Sequence, residues 1–324
     1  MQKFLFICFF TIISSFSLFS CGLNDILGED SSVITETKMA KALQEALVLG
    51  SKTAANNLGD SSCPLEDVSK GECLKGYLGN KLVEIAVPDT VNDVLKRINS
   101  FTGAINSLSP SAQTILTATI PELGSLFSLG KYGDSIKVAL NRGAEKAAPG
   151  AVDVFKNSIF GMSFNDARGL LMGDSVAATT YLNKTTYSNL QVAFAPIIKE
   201  PLDLLNPNKF WKPLASNYNS VATKYSSYAS QLKSGSSNGL MNNALGSSSL
   251  PDLPYEALPA DISQALAEYA TGEALTGLFK MVGKQETSLR ADPWGTISSV
   301  GGFITDSVGD LLGDVFSRAK NNAL

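Results

Sequence analysis

No histidine occurs in the 324 residues of this chain, and that omission decides much of the chemistry open to it. The usual general base near neutral pH is missing, as is the commonest zinc ligand. A serine or cysteine hydrolase of the ordinary kind has no base to work with. Carboxylate chemistry or a Ser–Lys pair remains. One Ser-x-x-Lys tetrad exists, "SLGK" at 128–131, but neither "SDN" nor "KTG" accompanies it. The stretch "GSLFSLGKY" (124–132) misses a phosphate-cradling loop. It has five residues between its glycines and a tyrosine where a hydroxyl must hold magnesium. Asn141, Arg142 and Glu145 share one face of a helical stretch, opposite its apolar stripe, and Arg142 and Glu145 are spaced to pair. They read as a solvated ion pair, or as an interaction face that meets another helix or a polar ligand. Asp166 reads as a helix cap, and Glu273, Glu286 and Arg290 as surface charge. No two carboxylates have a spacing that argues for acid–base work. The expectation is therefore a protein that is not an enzyme, with no catalytic residue, no metal ligand set and no cofactor.

Cysteine supplies the remaining reactive groups. The start "MQK" carries one positive side chain, and the apolar run "FLFICFFTIISSFSLF" follows. A positive start, a short greasy run and a small-residue processing site mark a secretory signal. The run, about 16 residues, falls short of the roughly 20 that a membrane span needs. Leu18-Phe19-Ser20-Cys21 resembles a bacterial lipobox: a branched apolar residue, a variable one, a small one, then cysteine. That resemblance implies diacylation of the Cys21 thiol, cleavage just before it and acylation of the new amino terminus. Each buried methylene contributes about 0.8 kcal/mol, so several acyl chains anchor a water-soluble body durably. An uncleaved anchor and an ordinary signal cut elsewhere are the competing readings. Gly22 follows the cysteine where Asp would favour retention at the inner membrane. By resemblance to enterobacterial sorting, this points to the outer membrane, facing the periplasm. Cys8 would leave with the signal. Cys63 and Cys73 remain, ten positions apart in "CPLEDVSKGEC". An even pair in an exported chain reads as a disulfide closing a short loop, with two reduced thiols as the alternative.

The elements that must position these groups follow from composition and spacing. Hydrophobic content of 44% against 17% charged suits a chain with a sizeable core. Net charge is −4, with a pI near 5.1, and no Lys/Arg cluster offers a phosphate backbone a basic patch, so nucleic acid is not an expected partner. The expected partners are a membrane, through the lipid anchor, and other envelope proteins. Apolar residues recur at three- and four-residue steps from about Thr35 to Gly59, over 88–101, over 131–150, over 185–205 with Pro196 expected to kink it, over 209–228, over 260–290 and over 301–320. Shorter helices are expected after Ser163, in the capping box "SFND", and over 176–183. Asp261 and Gln264 suggest another capping box. In 131–150 the stripe Ile136, Ala139, Leu140, Gly143, Ala144 and Ala147 is small enough to let a neighbouring helix approach closely. Trp211, Tyr218 and Tyr225 recur every seven residues, as a packed seam would. No period-two alternation runs for long. The fold class is all-α, a bundle of about eight to ten helices with flexible inserted loops. Its parts are a lipoprotein signal (1–20), a lipidated tether (21–34) and a single helical domain (35–320). The inserted segments lie at about 60–80, 102–129 and 231–259, the last rich in Ser, Gly, Asn and Pro.

Several stretches, in order, carry a family resemblance: "KALQEALVLGSKTAANNLG" (41–59), "LNRGAEKAAPGAVDVF" (140–155), "MSFNDARGLLMGDSVAATTYLNKTT" (162–186), "LQVAFAPIIK" (190–199) and "EYATGEALTGLFKMVGKQETSLRADP" (268–293). Together they resemble the domain-of-unknown-function 4197 family of exported bacterial proteins, over most of residues 35–293. The resemblance implies a helical, periplasm-facing lipoprotein or secreted protein, and no activity. Where members tend to carry a basic residue after "AATxY", this chain has Leu182-Asn183. Two functional expectations result. The first is a lipid-anchored envelope protein acting as an interaction or scaffold module. The second is a carrier for a lipid or small hydrophobic ligand, held where small residues and the Pro196 kink leave room.

Overall fold

The apolar periodicity becomes a helical body in the computed structural model, which describes residues 36–70, 73–126, 132–204, 211–234, 239–245, 249–251, 253, 257–292, 295–296 and 313. The described residues contain no strand. The chain runs through α1 (Glu36–Leu58), α2 (Leu65–Lys70), α3 (Asp89–Asn106), α4 (Pro110–Thr119), α5 (Leu123–Leu126) and α6 (Tyr132–Ala147). A 3-10 turn at Ala148–Gly150 leads to α7 (Ala151–Phe160), α8 (Phe164–Leu171), α9 (Ala177–Leu204), α10 (Trp211–Lys233), α11 (Gly239–Leu245) and α12 (Ser263–Ala291). This is the all-α multi-helix bundle expected. The expected signal, Cys21 and the expected tether lie outside the described residues, as does the stretch 301–320 apart from Gly313.

Helix starts follow local chemistry where a polar side chain meets an orphan amide. Ser163 accepts from the Asp166 amide while the Asp166 carboxylate accepts from the Ser163 amide, the capping box expected at α8. Ser109 caps α4 in the same way through the Ala112 amide, with Pro110 in the first turn. The box expected at Asp261 and Gln264 does not form. Asp261 Oδ1 accepts from the Ser263 amide only two residues on, at 2.8 Å, and Gln264 turns outward to donate to Glu268. The two helices expected over 176–183 and 185–205 are one. The boundary expected near Lys184 is absent: the hydroxyls of Thr185 and Thr186 donate to the carbonyls of Tyr181 and Leu182, four residues back, and the burial of Thr186 in the core carries the helix through. Helix α9 then continues through Pro196 to Leu204.

Two long helices form the axis. α9 and α12 pack on each other most extensively, α6 lies on α9, and α1 lies on both α12 and α7. α12 buries residues around most of its circumference, from Leu266 to Leu289, as a central helix must. Small residues set the spacing. A Cβ at Gly143 would stand 3.0 Å from the Ile198 carbonyl oxygen and 3.2 Å from its Cα, so this glycine fixes how closely α6 crosses α9. α1 runs antiparallel to α12. Gly50 faces Gln285, whereas at the other end Asn57 accepts from the Gly76 amide and the adjoining Tyr77 hydroxyl donates to Ala274. The first turn of α1 therefore lies toward the C-terminal end of α12.

A second group of helices, α3, α4, α5, α10 and α11, continues the same core. Trp211, Tyr218 and Tyr225 are buried as the seven-residue seam implies. Phe101 meets the Tyr225 ring edge-on, with centroids 4.9 Å apart. The segments 102–129 and 231–259 read as loops, yet their described residues include α4, α5 and α11. Met241, Leu253 and Leu258 are buried. Asn219 holds the Leu258 backbone at both its amide and its carbonyl, at 2.8 and 3.0 Å. Sparse apolar anchors in a polar stretch are enough once a half-buried side chain, Asn219, fixes the backbone of one of them.

Candidate functional site

α6 presents the first polar cluster. Asn141 and Glu145 are 0% and 1% exposed, so their face meets protein rather than solvent. Asn141 accepts from the Ile85 amide and donates to the Ile85 carbonyl, both at 2.8 Å, pairing with that backbone as a strand would. Glu145 Oε1 accepts from the Leu78 amide at 3.0 Å, and its Oε2 takes Arg142 Nη1 at 2.7 Å. Arg142 also donates to the carbonyls of Ser61 and Cys63, at 2.8 and 2.6 Å. The three residues hold the chain's own segment 61–85, and that segment occupies the face they were expected to offer. Gly76, at φ +68°, fits the space between Asn57 and Glu145 that a side chain would fill. Burial pushes the Glu145 carboxyl above its usual range, against the lowering effect of the Leu78 amide and Arg142. Burial, and then the Glu145 charge, push the Tyr77 phenol up as well. Within this segment Cys63 and Cys73 lie at disulfide distance, with Cα atoms 5.9 Å apart. The spacing of Asn141 and Glu145 on the face opposite the apolar stripe carries no sequence signal for this clamp, because the segment they hold lies more than fifty residues earlier in the chain.

The second cluster was read as surface charge and is a buried bridge. Glu286 is 4% exposed. Its carboxylate accepts the Ala178 amide at 3.0 Å, the Thr179 amide at 2.7 Å and the Thr179 hydroxyl at 2.8 Å. Those amides are orphan donors in the first turn of α9. Arg290 pairs with the same carboxylate and donates to the carbonyls of Leu170 and Leu171, the last residues of α8. A negative group thus stands at a helix start and a positive one at a helix end, as the helix dipoles favour. Sequence spacing could not find this, because an i, i+4 pair looks alike whether water or two helix ends surround it.

A third feature is open. Beside Glu286, α9 and α12 border a groove of about 740 Å³. Val176, Phe279 and Gly283 give it an apolar floor, and Thr180, Asn183, Lys184, Lys280, Lys284 and Thr287 rise around it. No carboxylate lines it, and no ion pair engages Lys184, Lys280 or Lys284 among the described residues. Lys280 places one of its protons on the Leu82 carbonyl, at 3.1 Å. Gly283 keeps the floor low: a Cβ there would stand 3.6 Å from Thr179 and Val176, in ordinary contact. A smaller cleft of about 320 Å³ lies between α3 and α10, walled by Val91, Val94, Trp211, Tyr218 and Leu258 and also by Thr90, Asp93 and Arg97. Among the described residues no cluster of acidic, cysteine or histidine side chains could hold a metal ion, and no helix is long and apolar enough to cross a membrane.

Residues 116–301 match the model of a family described as a protein of unknown function, DUF4197. The chain belongs to the DUF4197 family. The matched range begins within α4 and contains α6 to α12, hence both clamp pairs and the groove. The stretch 41–59, which also resembles the family, precedes it. In this DUF4197 member that stretch is α1, which still packs along α12. No curated protein and no solved structure matches the chain.

Proposed function

We propose that this DUF4197 protein is a lipid-anchored component of the bacterial cell envelope, held at Cys21 on the periplasmic face of the outer membrane, and that it works as a non-catalytic binding module. The observation that carries the binding role is the α9–α12 groove: three lysines around an apolar floor, with no acidic side chain lining it. The helices beside it are fixed by their own polar clamps, so the groove is presented on a rigid frame. The anchor rests on the Leu18-Phe19-Ser20-Cys21 motif after a short apolar run. Labelled palmitate fed to cells tests it. Cys21→Ser should abolish label in the protein and move it from the membrane to the soluble fraction. Undiminished labelling would refute the anchor.

A carrier role is the second reading, supported by the cleft between α3 and α10. Its walls join apolar side chains such as Val91 and Trp211 to the charged Asp93 and Arg97, which suits a small ligand with an apolar body and a polar end, and about 320 Å³ is at the small end of ligand cavities. Mass spectrometry of protein purified without detergent extraction of ligands would find a bound hydrophobic molecule if that reading holds.

A further inference from the structure

We propose that the α9–α12 groove docks the headgroup of an anionic phospholipid, with Lys184, Lys280 and Lys284 meeting the phosphate and Val176 and Phe279 meeting the first apolar carbons. The inference deepens the binding role above, and its spatial part rests on the Cys21 anchor.

Charge is the first argument. The chain carries 30 acidic and 26 basic side chains, yet three lysines and no carboxylate line this one groove. Lys280 and Lys284 stand one helical turn apart on α12, and Lys184 faces them from α9. Lys280 keeps two of its three protons free of the Leu82 carbonyl. Thr180 and Asn183, both exposed, add neutral donors at the rim.

Amphipathy is the second. A free phosphate or an acidic peptide needs no apolar floor, whereas a glycerophospholipid has an anionic end joined to hydrocarbon. Phe279 supplies that floor and is held in place by the rings of Phe155 and Tyr187, with centroids 5.8 and 6.5 Å away. The groove's volume lies within the range of small-ligand clefts, about 300–1,000 Å³, and its open side lets acyl chains remain in a bilayer.

Position is the third. The groove sits on the C-terminal half of α12, the end toward which the start of α1 points. Residues 22–35 separate Cys21 from α1. Fully extended, at no more than about 3.6 Å per residue, they reach roughly 50 Å. A body tethered that closely meets its own membrane constantly.

The test uses the purified full chain in phosphatidylcholine vesicles containing a trace of photoactivatable phosphatidylglycerol, with crosslinked peptides mapped by mass spectrometry. Label should fall on the peptides covering 176–187 and 279–287. Unlabelled phosphatidylglycerol should displace it and extra phosphatidylcholine should not. Each lysine changed to glutamine should lower labelling about fivefold, the usual weight of one basic residue at an anionic surface. Gly283→Leu, which fills the floor and leaves every lysine in place, should lower it too. Label spread evenly over the chain, label unchanged in Lys184→Gln/Lys280→Gln/Lys284→Gln, or displacement by inorganic phosphate as effective as by lipid would each overturn the proposal. The mass of the amino-terminal peptide reports separately on Cys21. An acylated chain without groove label refutes the groove alone. Groove label on an unacylated chain supports the groove and refutes the anchor.

Discussion

Arg290 Nε and Nη2 both donate to the one Glu286 oxygen Oε1, at 3.0 and 2.8 Å across one turn of α12, and the pair closes two other helices. The carboxylate holds the first amides of α9 and the guanidinium the last carbonyls of α8. Removing one partner strips the other of its opposite charge in a largely water-excluded place and leaves it only its backbone hydrogen bonds, which costs up to about 3–5 kcal/mol. Glu286→Ala should therefore lower stability by about that much in urea unfolding, and Arg290→Ala by a similar amount. Glu286→Gln keeps an acceptor for the amides and should cost less. A loss below about 1 kcal/mol for Glu286→Ala would show that the bridge is an ordinary surface pair.

The contrast between what the chain's spacing reveals and what it hides follows from that pair. Helix extents over 131–150 and 260–290 were legible because apolar periodicity is a local property, and so were the Ser163 cap and the Trp211, Tyr218, Tyr225 seam. The long α9 was not, because the hydroxyls of Thr185 and Thr186 bond either to solvent or back to the helix, and only the core around Thr186 decides. Glu286 looks like surface charge in the sequence because the amides it holds lie more than a hundred residues away. Asn141 and Glu145 were noticed but given the wrong neighbour, since nothing local says that segment 61–85 folds over them. The groove was invisible for the same reason: Lys184 and Lys284 are a hundred positions apart and meet only through α9–α12 packing.

The Cys63–Cys73 pair should be covalent in the mature protein. Mass spectrometry without reductant is expected to find the crosslinked peptide, and two freely alkylated thiols would refute it. A loop this short contributes about 2–3 kcal/mol by restricting the unfolded chain. Cys63→Ser/Cys73→Ser should lose that amount. Arg142, which holds the Cys63 carbonyl, would still grip the segment, so the fold should survive with a faster proteolytic cut between the two positions.

Glu145 makes a prediction about pH. Burial raises its carboxyl above the ordinary 4.5, more than the Leu78 amide and Arg142 lower it. The folded state then binds this proton more tightly than the unfolded state. The contribution is therefore complete below the unfolded value of 4.5 and is lost as pH rises through the folded one. The stability of the wild type minus that of Glu145→Gln should fall over that interval and level off above it. A difference that grows with pH would mean that pairing with Arg142 outweighs burial.

Two glycines of α12 should respond in opposite directions to the same change. Alanine is the better helix former by about 0.8–1 kcal/mol. At Gly272 a Cβ would meet nothing within 4 Å, so Gly272→Ala should stabilise by about 0.5–1 kcal/mol. At Gly277 the added carbon would stand 2.9 Å from Tyr77 Cε1 and 3.1 Å from Val83 Cβ. Tyr77 cannot swing aside freely, because its hydroxyl is fixed on the Ala274 carbonyl at 2.7 Å and its ring is fully buried. Overpacking of this kind costs about 1–3 kcal/mol, more than the gain in propensity. Gly277→Ala should thus melt below the wild type and Gly272→Ala above it. Gly277→Ala/Tyr77→Phe, which frees the ring, should recover part of the Gly277→Ala loss. If Gly277→Ala alone were neutral or stabilising, segment 61–85 would not be pressed against α12 as its hydrogen bonds to α6 require.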